Sequence, residues 1–229
     1  GSLFVQGSWR IAAQTTVTGV IDRRRSPFLS ASNALIGQSI EAFSELQAQF
    51  SEEEIRELAL DRAATSSTIT LGLSRPLTPK LQANINISDT EIDATPDSGG
   101  VSGMPASSYR YVSTDLVASS LITEGDVSVF GLRYADSQNN ATYSASLDSR
   151  FPIGGRLRIN PRLRLDYREI KSDDSTQWTY SPGLRLQYRK DRGFRIDLEV
   201  GMQFSNREMD VLNQERESWF VNAGYQWFF

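Results

Sequence analysis

Arginine is the residue type in this sequence best placed to do chemistry. Arg156, Arg158, Arg162, Arg164 and Arg168 recur at even positions of one segment, and Arg185, Arg189 and Arg195 follow in the next two. Carboxylates are set among them: Asp148 lies beside Arg150 ahead of this ladder, and Asp197 and Glu199 come after it. Guanidinium groups at such spacing either attract anions or pair with the carboxylates in a charge network. Asp197 and Glu199 invite an acid–base reading, but a facing row of arginines keeps both ionised, which is wrong for a general acid. The chain has no Cys and no His among its 229 residues. That excludes a disulfide scaffold, a thiol nucleophile, a Ser-His-Asp triad and any imidazole relay. The adjacent Asp173 and Asp174 lack the Gly–Glu pattern of a calcium loop. No catalytic residue, no metal and no cofactor is therefore expected.

The overall charge is mild, net −4, with 24 basic residues of which only Lys80, Lys171 and Lys190 are lysine. Arginine is favoured over lysine where a cation sits paired and partly out of water. A near-neutral total argues against nucleic acid as a partner.

The elements that position these residues are strands. Over residues 156–168 every even residue is polar, and the odd ones are Leu157, Ile159, Pro161, Leu163, Leu165 and Tyr167. Strands of soluble sandwiches average about five or six residues, whereas thirteen suits a tilted bilayer crossing with some overhang. The neighbours repeat the pattern. Apolar Trp178 to Tyr188 on even positions, Phe194 to Phe204 on even positions and Tyr143, Ala145 and Leu147 on odd ones each oppose a polar set. Leu81, Ala83, Ile85 and Ile87 do the same, as do Ile69, Leu71 and Leu73. The apolar faces end in aromatics, Tyr143, Tyr167, Trp178, Tyr180, Trp219, Trp227 and Phe229, as interfacial girdles do. No run of about 20 apolar residues is present to form a transmembrane helix.

Residues 39–63 break the strand pattern, with no Gly or Pro. Ile40, Phe43 and Leu46 share one helical face. Ser51 with Glu54 forms a capping box ahead of Ile55, Leu58 and Ala59. Two short helices are expected, at about 40–49 and 52–63 by this periodicity. Connections at 75–80, 123–126, 152–155 and 190–193 read as short, and those at 89–108, 136–140, 170–175 and 206–217 as longer and polar.

The last segment, 219–229, places Trp219, Val221, Ala223, Tyr225, Trp227 and the terminal Phe229 on one face. It resembles the C-terminal signal strand of bacterial outer-membrane β-barrels. The resemblance implies an outer-membrane location with a periplasmic C-terminus. It also implies that the barrel assembly machinery reads Tyr225, Trp227 and Phe229, and that the surroundings are outer-membrane lipid and lipopolysaccharide. Arg23, Arg24 and Arg25 could then grip lipopolysaccharide phosphates. The stretch Asp22-Arg23-Arg24-Arg25-Ser26-Pro27, followed by Ser32-Asn33-Ala34-Leu35-Ile36-Gly37-Gln38 and a helical segment, resembles the C-terminal barrel of large periplasmic tetratricopeptide-repeat proteins. Relatives of those proteins export cellulose and poly-N-acetylglucosamine, which implies a periplasmic repeat region or export complex as partner.

The expected fold is an all-β, transmembrane, antiparallel up-and-down β-barrel forming one domain over 1–229 with a helical insertion at 39–63, the C-terminal domain of a longer protein. Alternation marks nine strands, at about 65–75, 80–90, 109–122, 126–136, 140–151, 156–169, 176–189, 193–206 and 218–229. One long strand over 3–25 would make ten. A hairpin near Gln14-Thr15 with a further preceding strand would make twelve. The expected role is non-enzymatic, an anchor for a larger envelope protein that offers a narrow conduit, with a transport pore for small anions or exported polysaccharide as the alternative.

Overall fold

The structure, a computed structural model, describes residues 2–12, 14–26, 51–61, 63–97, 103–190, 193–209 and 213–227. Eleven strands follow one another along the chain: β1 (Leu3–Ala12), β2 (Thr15–Ser26), β3 (Ala64–Thr78), β4 (Leu81–Ile92), β5 (Ser107–Ser119), β6 (Val127–Ser137), β7 (Asn140–Ile153), β8 (Leu157–Ile170), β9 (Ser175–Arg189), β10 (Phe194–Glu208) and β11 (Gln214–Trp227). Each pairs with its sequence neighbours in one antiparallel up-and-down sheet, in the order β1 to β11. Among the described residues the order is linear, with β1 and β11 at its two ends.

Where ten strands are expected, eleven are found among the described residues, because residues 3–25 hold two strands rather than one. The chain reverses between Ala12 and Thr15, and Gln14 takes a φ of 76°, a left-handed conformation that an extended strand does not allow. Alternation shows which face a residue is on, not the direction of the chain, and no Gly or Pro marks this turn. The hairpin weighed near Gln14-Thr15 is present; a twelfth strand is not among the described residues. Two connections expected to be long are tight: β6 passes to β7 over residues 138–139, and β8 to β9 over 171–174.

One helix, α1 (Glu52–Asp61), is described. Its capping box forms as the sequence predicts: Ser51 N–H and Oγ–H donate to Glu54 Oε2 at 2.8 and 2.9 Å, and Glu54 N–H returns a 3.3 Å bond to Ser51 Oγ. The helix expected at 40–49 lies outside the described residues, as do residues 32–38 and Phe229.

Chain contacts define two compact units. One comprises residues 1–7, 18–71 and 88–109 and contains α1; here Arg25 Nη2 donates to the Leu60 carbonyl near the helix C-terminus at 2.6 Å. The other comprises residues 8–17, 72–87 and 110–229 and contains β6 to β11 entire.

What these strands do with their apolar side chains separates this fold from a soluble sandwich. Among the described residues the buried hydrophobic ones are only Ala64, Ala118 and Ala141. The large apolar side chains point outward: Leu71 is 53% exposed, Leu165 40%, Trp178 56% and Trp219 71%. Polar residues are buried as well, including Asp126, Ser149 and Ser175. An apolar face this extensive does not stay in water.

Candidate functional site

The antiparallel register turns the sequence ladder into a two-dimensional array. Even residues of β7 and β8 share a face with odd residues of β9 and β10 and even residues of β11. That face carries Arg150, Arg158, Arg162, Arg164, Arg168, Arg185, Arg189, Arg195 and Arg207 on β7 to β10, against Asp148, Asp166, Asp197 and Glu199. With Arg216 of β11, ten arginines meet four carboxylates, so pairing among them cannot neutralise the face.

The pairs that do form are specific. Arg162 Nη2 is ion-paired with Glu199 Oε1, reaching from β8 across β9 to β10. Asp197 gathers three donors: Arg185 Nη2 at 3.0 Å, Gln187 Nε2 at 2.7 Å and Arg195 Nη2 at 3.3 Å. Arg164 Nε bonds both oxygens of Asp166 at 2.9 Å, and Ser144 Oγ–H donates to the same carboxylate at 2.5 Å. Arg158 Nη1 donates to Gln187 Oε1 at 3.3 Å. Arg150 and Arg168 have no ion-pair partner among the described residues. Arg168 borders a polar hollow of about 180 Å³ with Asp166, Gln177, Thr179 and Gln203.

The sequence-predicted set is therefore brought onto one face, with two differences. Arg156 lies in the β7–β8 turn, where its carbonyl accepts the Arg189 N–H at 2.8 Å. Asp148 stands opposite Arg162 in register, yet the guanidinium turns away from it to Glu199.

Three further residues belong here. In one cross-strand row, Asp148, Arg162, Gly183, Gly201 and Phe220 stand side by side on β7 to β11. A Cβ on Gly183 would lie 2.6 Å from Arg162 Nε, and one on Gly201 would lie 2.5 Å from Phe220 Cε1. The two glycines thus let Arg162 and Phe220 lie flat along the sheet, with Arg162 Cζ 6.0 Å from the ring centroid, at the edge of cation–π range. Sequence reading missed Phe220 because it sat inside the signal strand. The available clue was that it breaks the polar phase of Ser218, Asn222, Gly224 and Gln226.

The opposite face ends in two aromatic bands. Tyr134, Tyr143, Tyr167 and Trp178 run as a ladder across β6 to β9, with ring centroids 5.0, 6.1 and 4.6 Å apart. At the other end Tyr188, Phe194 and Trp227 follow with centroids 6.0 and 6.1 Å apart. Trp219, expected in a band, is paired with Met202, in the row of Pro182 between the two.

No family model matches this chain, and no curated protein is detectably similar in sequence. Among solved structures it is similar to a KdgM porin in complex with disordered oligogalacturonate, at 12% identity and a TM-score of 0.36, covering 100% of this chain and 92% of that one. It is also similar to LpxR from Salmonella typhimurium, at 12% identity and a TM-score of 0.31, covering 100% of this chain and 88% of that one. Likeness at this level assigns neither activity nor ligand.

Proposed function

We propose that the chain is a bacterial outer-membrane β-barrel domain that anchors a larger envelope protein and carries a narrow, anion-selective conduit along its arginine-rich face. The observation that carries the reading is the exposed apolar band between the two aromatic bands. Trp178 and Tyr188 mark them on β9, ten residues apart. That is about 33 Å along a strand, or about 25 Å of height at a tilt near 40°, the height of an outer-membrane barrel's apolar band. With lipid on that side, the polar face becomes the lumen wall, and its excess of guanidinium groups favours anions.

The carboxylates fit a non-enzymatic role: Glu199 is ion-paired with Arg162, and Asp197 accepts from Arg185, Gln187 and Arg195, so both are taken up in a charge network. A transport pore for small anions or an exported anionic polymer is the second reading, favoured by Arg150 and Arg168 standing without a carboxylate.

Planar bilayers test both. The purified domain should conduct weakly, with a reversal potential of anionic sign in a salt gradient; large steady conductance promotes the pore over the anchor, and cation preference removes the conduit. Deleting Phe229 should leave the protein in the periplasm, degraded or aggregated. Normal insertion without it would count against the outer-membrane reading.

A further inference from the structure

We propose that Arg162, Glu199 and Phe220 form the selectivity constriction of the conduit, and that Gly183 and Gly201 set its aperture. The inference rests on the conduit reading above and deepens it.

The placement comes from the register. Gly183 is five residues from Trp178 and five from Tyr188 along β9, so its row lies midway between the two aromatic bands. At mid-height a lumen is farthest from bulk water at both mouths. An ion there must trade hydration for whatever the wall offers. This row offers a guanidinium and an aromatic ring, the latter being the sole aromatic on the polar phase of β11 among the described residues.

The geometry holds both groups against the wall. Arg162 crosses the bare backbone of Gly183 to reach Glu199. Glu199 can occupy no more than two of the five guanidinium N–H groups. The remaining donors lie beside the lumen, available to a passing anion. Phe220 folds over Gly201 in the same manner. Two glycines in adjacent register positions are costly in strands, where they contribute no packing; here each makes room for a neighbour's side chain. With any Cβ at 183 or 201, the displaced atoms are the rotatable ends of Arg162 and Phe220, so the sheet survives and the side chains swing inward.

Single-channel recording tests this, with heat-shifted gel mobility confirming that each variant is folded. Gly183→Ala and Gly201→Ala should each roughly halve conductance, since the aperture narrows by one displaced side chain. Adding Phe220→Ala to Gly201→Ala should restore it, and Arg162→Gln should move the reversal potential toward zero. An anion-selective wild type whose conductance ignores both glycine variants, and whose selectivity ignores Arg162→Gln, overturns the constriction and leaves the conduit reading standing. A silent wild type overturns the open conduit; if Arg162→Ala/Phe220→Ala then conducts, the constriction is supported, and if it stays silent both fall.

Discussion

The polar faces of β3–β4 and of β8–β10 are built on the same alternation and do opposite things with it. On β3–β4 the side chains are hydroxyls and amides, and each settles with a near neighbour. Thr68 meets Thr90 at 3.0 Å, Thr70 meets Ser88 at 3.1 Å, and Ser74 donates to Asn84 at 2.8 Å. On β8–β10 the side chains are guanidinium and carboxylate, and the central bond skips a strand, from Arg162 to Glu199. Their apolar faces, by contrast, match: Leu71 and Leu73 are 53% and 37% exposed, Leu165 and Leu198 40% and 38%. The difference teaches that the apolar face keeps one character on both pairs of strands, as it must if each meets the same medium. The polar face is free to specialise, and charge is concentrated on one panel of it.

The largest expected effect tests the matching half of that comparison. Leu163→Arg on β8 and Leu71→Arg on β3 should each destabilise the protein by about 2–4 kcal/mol if both sit near the bilayer midplane. Urea unfolding in lipid vesicles measures it. A tolerated Leu71→Arg beside a damaging Leu163→Arg would show that the two panels do not face the same medium.

A smaller effect tests the contrasting half. Arg162→Leu should cost about 1 kcal/mol, because solvent screens a half-exposed pair even though Glu199 loses its partner. Most of that cost should vanish in high salt or in a Glu199→Gln background. Ser74→Ala removes its bonds with Asn84 and Gln82 and should cost about 0.5–1 kcal/mol, unchanged by salt. Salt dependence at Ser74, or none at Arg162, would erase the distinction between the panels.

How far these panels could be read from sequence depended on the length of each pattern. The thirteen-residue alternation at 156–168 gave facing correctly, because a period of two leaves no freedom once one face is apolar. It placed Asp197 and Glu199 on the arginine face for the same reason. Partnerships were not legible. That Arg162 chooses Glu199 over Asp148 depends on Gly183 leaving the intervening strand bare, and that needs the register of three strands at once. The Gln14 reversal stands in the sequence only as one of two alternatives, because a turn without Gly or Pro interrupts no apolar phase. Trp219 read as a band residue since composition marks an aromatic as interfacial, whereas its height is set by pairing with Met202.

The smallest effect is expected at the turns, where the same contrast between ionic and neutral partners recurs outside the strands. Asp126, in the β5–β6 turn, accepts backbone N–H groups from Thr123 and Ile122 at 2.8 and 2.7 Å and from Leu121 at 2.9 Å. Those bonds, Thr123's foremost, hold its carboxyl below the ordinary range against the opposing effect of burial. Asp173, in the β8–β9 turn, is lowered chiefly by the Ser175 hydroxyl at 2.6 Å, with the Arg207 guanidinium adding to it. A depressed folded-state pKa means the unfolded chain takes up protons first as the medium acidifies. Each carboxylate's stabilisation is therefore complete above the ordinary Asp range and is lost as pH falls through the lowered value. Asp126→Ala and Asp173→Ala should both lower the unfolding temperature at neutral pH, and both deficits should shrink toward zero in acid. Salt then separates them: the Asp173 deficit contains a charge–charge part and should diminish at high ionic strength, while the Asp126 deficit, made of backbone dipoles at contact distance, should hold. Thermal melts of both variants across pH, at low and high salt, measure this. A salt-sensitive Asp126, or a deficit that grows in acid, would show that these turns are not divided as the two panels are.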